Sequence, residues 1–149
     1  MKAVIFDMDG VLIDSEPLHG ITELLQCLEE NNIKMAVASS SSMVFIETVL
    51  KKLSIERYFE FYISGENIIK SKPEPDIFLK AAQMLRTEPA QCIVIEDSKN
   101  GVIAAKRAGM KCIGYINTNS GNQDLSPATK IIDNFHSLTF ETLQNLVRE

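Results

Sequence analysis

Asp7 and Asp9 stand one residue apart at the end of the apolar run Ala3-Val4-Ile5-Phe6, with Gly10 behind them. Carboxylates that follow a buried strand are held at its tip, the edge of an α/β sheet where ligands bind. Two such acids with a glycine behind them suggest metal and phosphate chemistry. Three further polar features also follow predicted strands: Ser39-Ser40-Ser41-Ser42, Lys72-Pro73 and Glu96-Asp97-Ser98. In a parallel sheet all four reach the same carboxyl edge, so residues far apart in the chain converge there.

The residue types suit phosphoryl transfer. Asp7 and Asp97 offer the carboxylate oxygens that Mg²⁺, a hard cation, prefers. The ion offsets the mutual repulsion of Asp7, Glu96 and Asp97 and neutralises phosphate charge. Asp7 is then a candidate nucleophile on phosphorus, forming an aspartyl-phosphate. Asp9 can protonate the leaving oxygen and later activate water. The Ser39 hydroxyl, Ser40 and the first N–H groups of the following helix are candidate phosphate ligands. Lys72 is a point charge suited to the developing anion and to keeping Asp7 ionised.

The elements that must position these groups can be read from hydrophobic period and punctuation. Strands are predicted at Ala3 to Phe6, Ile33 to Ala38, Phe61 to Ile63, Cys92 to Ile95, Cys112 to Ile116 and Lys130 to Ile132. The almost wholly apolar Cys92 run reads as a central strand. Between the strands lie helical patterns. Ile21, Leu24, Leu25 and Leu28 share one face, ending at Asn31-Asn32. Phe45, Ile46, Val49, Leu50 and Leu53 share another. Pro75 reads as the first residue of a helix through Leu85. Gly101 to Ala108 reads as a small-residue helix stopped by Gly109, and a closing helix starts near Thr139. Strands alternating with helices predict an α/β fold: a three-layer α/β/α sandwich around a mainly parallel, Rossmann-like sheet. The polar loop Asn117 to Pro127 borders the active edge and could touch substrate, but reads better as a plain connection.

Composition sets the bounds. The chain has 149 residues, 45% hydrophobic and 23% charged, as expected of one domain spanning 1–149. A net charge of -5 without a basic stripe argues against nucleic acid as a partner. It also means that an anionic substrate needs a local cation. No apolar run is long enough to span a membrane, and four apolar residues before Asp7 do not make a signal peptide. Cys27, Cys92 and Cys112 are odd in number and lack CxxC spacing, which suits reduced thiols in a cytoplasmic protein.

The run Asp7-Met8-Asp9-Gly10-Val11-Leu12-Ile13-Asp14-Ser15 resembles the first motif of the haloacid dehalogenase superfamily. Ser39 resembles its second motif, Lys72 its third and Glu96-Asp97 its fourth. The sequences Lys72-Pro73-Glu74-Pro75-Asp76-Ile77-Phe78 and Glu96-Asp97-Ser98-Lys99-Asn100-Gly101-Val102 are similar to the β-phosphoglucomutase-like phosphatase branch. The resemblance implies that Asp7, the backbone carbonyl of Asp9 and Asp97 bind the metal, with Glu96 one water away. It implies a phosphatase or phosphomutase, because the superfamily's dehalogenases lack the second Asp. The substrate expected is a small phosphorylated metabolite, most naturally a sugar phosphate.

One departure from the branch matters. Relatives insert a helical cap after the first motif, yet here Ser15-Glu16-Pro17-Leu18-His19 runs directly into Gly20-Ile21-Thr22-Glu23. The cap is therefore expected to be missing between His19 and Gly20. His19 aligns with a histidine that assists the mutase, but reads here as a surface residue at that junction; Asp14 and Ser15 read as structural residues of the turn. Caps exclude water and hold the substrate's remote groups. A capless core favours phosphatase over mutase, and its exposed apolar surface favours a homo-oligomer. Two other readings stay open: a receiver-like phospho-acceptor domain, and a weakly active or inactive core.

Overall fold

In the computed structural model every residue except Ser15 is described, so the turn role expected of Ser15 lies outside the described residues. Strand β1 (Ala3–Phe6) leads into a small antiparallel hairpin, β2 (Ile13–Asp14) and β3 (Glu16–Pro17), which hydrophobic period did not reveal. The chain then alternates: α1 (Ile21–Glu30), β4 (Lys34–Ser39), α2 (Met43–Lys52), β5 (Phe61–Ser64), α3 (Asp76–Met84), β6 (Cys92–Glu96), α4 (Lys99–Arg107) and β7 (Lys111–Tyr115). It ends with β8 (Lys130–Ile132) and α5 (Phe140–Arg148). The main sheet runs β5-β4-β1-β6-β7-β8, and every neighbouring pair in it is parallel.

Alternation along β1 shows how the layers form. Val4 and Phe6 face one side, with Leu24, Leu25 and Leu28 of α1, Ile46 and Leu50 of α2, and Leu143 and Leu146 of α5 in the same buried cluster. Ala3 and Ile5 face the other, with Ile77, Phe78, Ala81 and Ala82 of α3 and Val102, Ala104 and Ala105 of α4. The period of two in the strand meets the period of 3.6 in the helices, giving three layers. The second face is rich in alanine, which lets α3 and α4 lie close to the sheet. Cys92 and Cys112 are buried and all three cysteines are free. Burial pushes the Cys92 thiol up to about 11 and Cys112 higher still.

Local signals set the helix ends. Ser98 caps α4, its hydroxyl accepting from the Gly101 N–H at 3.1 Å. Thr139 and Thr142 form a reciprocal capping box at the start of α5. Pro75 falls one position before α3 rather than inside it, because its carbonyl accepts the Leu79 N–H at 3.0 Å and so opens the helical ladder. No helix among the described residues is long and apolar enough to cross a membrane.

Candidate active site

Strand order builds the site. Because β1 lies between β4 and β6, Asp7, one step past β1, is flanked by the ends of both neighbours. Ser39 closes β4, Glu96 closes β6, and Asp97 follows it. Lys72 arrives from the connection between β5 and α3. The structure thus gathers Asp7, Ser39, Lys72, Glu96 and Asp97 at one edge.

Lys72 organises the floor. Its ammonium donates to Asp7 Oδ1 at 2.9 Å, to Glu96 Oε1 at 2.5 Å and to the Ala38 carbonyl at 3.4 Å. Burial alone would lower the Lys72 pKa, but the Asp7 and Glu96 carboxylates outweigh it and hold the group above the ordinary lysine range. Glu96 is wholly buried. Its Oε2 accepts from the backbone N–H groups of Asp97 and Ser98, both at 3.0 Å, and from the Ser98 hydroxyl at 2.9 Å. Glu96 therefore fixes Lys72 on one side and the start of α4 on the other.

Asp7, Glu96 and Asp97 each offer a carboxylate oxygen, and these lie within 4.8 Å of one another. Burial, joined by the neighbouring Glu96 and Asp97 carboxylates and opposed by Lys72, leaves the Asp7 carboxyl raised to about 7. Asp97 is also raised, by burial first, against the hydrogen bond from Ser120. Three buried acids sharing one lysine leave negative charge unbalanced, and their donor set is all oxygen. That combination fits a hard divalent cation, which would favour the ionised form of each acid.

Asp9 is different. It is exposed, and its Oδ2 accepts from the Ser41 hydroxyl at 2.8 Å. It borders a cleft of about 460 Å³ lined by Gly10, Ile13, Phe45, Asp97 and Asn117 among others. A second cleft, about 470 Å³, is lined by Ser40, Lys72, Ser98, Lys99, Asn100 and Gln123. Ser39 is buried and its hydroxyl accepts the Ser41 N–H at 3.1 Å. Of the first N–H groups of α2, expected to face phosphate, two have partners within the chain. Met43 N–H donates to Glu66 at 3.0 Å and Phe45 N–H to the Ser42 hydroxyl at 3.2 Å, so these amides are already committed.

Three features were missed in the sequence. The segment after β7 is part of the site rather than a plain connection: Asn117 donates to the Gly10 carbonyl at 3.3 Å, Asn119 to Asp14 at 2.5 Å, and Ser120 to Asp97. A Cβ on Gly101 would overlap the Glu96 carboxylate, so only glycine lets α4 rest on that acid. Gly10 has φ +82°, and a Cβ there would overlap the Asp97 carboxylate. The asparagines carried a weak signal, as turn-forming residues after a strand; the glycine contacts carried none. His19 is exposed, and its Nδ1 lies 2.7 Å from His136 Nε2.

A family model for haloacid dehalogenase-like hydrolases matches residues 15–115, more than half of the chain. The chain belongs to the haloacid dehalogenase-like hydrolase family. The matched stretch carries Ser39, Lys72, Glu96 and Asp97, while Asp7 and Asp9 precede it. The chain is 37% identical over 132 residues to a β-phosphoglucomutase of Bacillus subtilis, covering 89% of this chain and 56% of that one. It is 27% identical over 181 positions to a phosphorylated carbohydrates phosphatase of Thermotoga maritima, covering 76% of this chain and 84% of the relative. Among solved structures, a β-phosphoglucomutase from Clostridium difficile is 33% identical with a TM-score of 0.78, over 89% of this chain and 57% of that one. The chain spans about half the length of most of the curated hydrolase-family relatives it matches.

Proposed function

We propose that this chain is a Mg²⁺-dependent phosphatase that hydrolyses a small phosphate monoester through an aspartyl-phosphate on Asp7. The observation that carries the reading is the Asp7 carboxylate at the tip of β1, bonded to Lys72 at 2.9 Å and grouped with Glu96 and Asp97. In the first step an Asp7 oxygen forms a bond to phosphorus as the ester oxygen leaves, and Asp9 gives that oxygen its proton. In the second, Asp9 takes a proton from water as the water oxygen attacks phosphorus, releasing phosphate and restoring Asp7. Ser39, Ser40 and Lys72 hold the phosphoryl oxygens, and the Lys72-lined cleft suits that anion. The cleft beside Asp9, with Ile13 and Phe45, suits the leaving group. Asp7, Asp97 and the Asp9 carbonyl would hold Mg²⁺, with Glu96 behind them. The ion supplies charge neutralisation for the three acids and the phosphate.

Finer points belong to the same reading. Likeness to two β-phosphoglucomutases supports placement in that branch. Alignment over 181 positions, more than the 149 residues present here, supports an insertion in the relative that this chain lacks. We place the missing cap between His19 and Gly20 and read residues 1–149 as one core domain. Without a cap, a mutase has little to hold a sugar bisphosphate in two orientations, so a phosphatase of modest efficiency acting on sugar phosphates is preferred. Free cysteines support a reducing, cytoplasmic setting. Exposed Val44, Phe45 and Ile116 support association between copies.

The test is phosphate release from 4-nitrophenyl phosphate and a panel of sugar phosphates with and without Mg²⁺. Turnover should require the ion and fall by about a thousandfold or more in Asp7→Asn. Activity that survives Asp7→Asn removes the nucleophile assignment. A long-lived phosphoprotein without turnover would favour the receiver-like reading.

A further inference from the structure

A general acid must be aimed, yet the Asp9 side chain is exposed, where rotamers interchange at little cost. What holds it is Ser41, whose hydroxyl donates to Asp9 Oδ2 at 2.8 Å. Ser41 is itself anchored on both sides of its side chain. Its N–H donates to the Ser39 hydroxyl at 3.1 Å, and its carbonyl accepts from the Ser64 hydroxyl at 2.6 Å. Ser39 and Ser64 are buried and paired in register across β4 and β5. The sheet thus fixes the Ser41 backbone and leaves its hydroxyl pointing at Asp9.

We propose that Ser41 is a positioning residue for Asp9, a role that rests on the phosphatase reading above. The Ser41 hydrogen bond fixes Oδ2 and with it the plane of the Asp9 carboxyl group. One contact therefore orients the carboxyl group in both half-reactions: Asp9 gives a proton to the leaving oxygen, then takes one from water. Ser41 neither gains nor loses a proton. The serine run therefore divides its work. Ser39 anchors the turn, Ser41 aims the acid, and Ser42 caps α2.

Leaving-group dependence tests this. An alkyl phosphate releases a basic alkoxide and needs the proton; 4-nitrophenyl phosphate releases a weakly basic phenolate and needs it less. Ser41→Ala should lower kcat for glycerol 2-phosphate by about tenfold or more, with a smaller loss for 4-nitrophenyl phosphate. Ser41→Thr, which keeps a hydroxyl, should restore most of the alkyl-phosphate rate. In an Asp9→Asn background, removing the Ser41 hydroxyl should cost little more. Equal losses on both substrates, or a rise in KM with kcat intact, would make Ser41 a phosphate ligand and overturn the proposal while leaving the phosphatase reading in place. An unmodified chain that turns over neither ester overturns both.

Discussion

On the floor of the site, Asp7, Glu96 and Asp97 are buried around the Lys72 ammonium, and among the described residues no buried side-chain nitrogen or oxygen lacks a hydrogen-bond partner. At the rim, Asp9 is exposed and Val44, Phe45 and Ile116 present apolar surface to solvent. The floor is a closed network in a low-dielectric setting, where each member depends on the others. The rim depends on little beyond Ser41 and the asparagine-rich segment after β7. The difference teaches that the proposed chemistry is built into the sheet, while substrate selection is left to a surface that this chain barely furnishes.

Breaking the floor should therefore cost far more than altering the rim. Lys72→Met strands Asp7 and Glu96 without their cation, and removing one partner of a buried ion pair typically costs about 3–5 kcal/mol. Chemical denaturation in chelator should show that loss, with turnover abolished; Mg²⁺ should recover part of the stability and none of the turnover. Survival of both would mean that the floor is not the coupled unit its hydrogen bonds describe.

A subtler cut is Gly101→Ala. The new methyl meets the Glu96 carboxylate, and overpacking of this kind costs about 1–3 kcal/mol. Its signature is a fall in Mg²⁺ affinity alongside the fall in Tm, because Glu96 must shift under Lys72 and Asp97. A neutral or stabilising outcome, as helix propensity alone would give, would show that α4 does not rest on the acid.

The smallest effect is expected at Phe45→Ser. This half-exposed side chain borders the Asp9 cleft, so stability should change by less than about 0.5 kcal/mol. KM for aryl phosphates should rise a few-fold, and any self-association seen in sizing experiments should weaken. A large stability loss here would erase the contrast between floor and rim.

Much of this was legible in the sequence. Six strands and five helices follow from apolar period and from caps such as Ser98 and Thr139, because those signals act over a few residues. Asp7, Ser39, Lys72 and Glu96-Asp97 were identifiable as a set because each follows a strand. At the α2 N-terminus the helix start was recognisable locally, but not Glu66, which takes the Met43 N–H and arrives from another element. Asn117, Asn119 and Ser120 read as loop for the same reason: their partners Gly10, Asp14 and Asp97 are distant in the chain.

What the sequence determined by itself is the set of elements and the chemistry at their tips. Their convergence on one edge could be expected, but which tips lie side by side was decided by the tertiary structure alone. Only the order β5-β4-β1-β6-β7-β8 sets Asp7 between Ser39 and Glu96-Asp97, aims Ser41 at Asp9 and brings Gly10 and Gly101 against the acids. Strand pairing is a contact between distant segments, and it follows from how whole faces bury together rather than from any local pattern of residues.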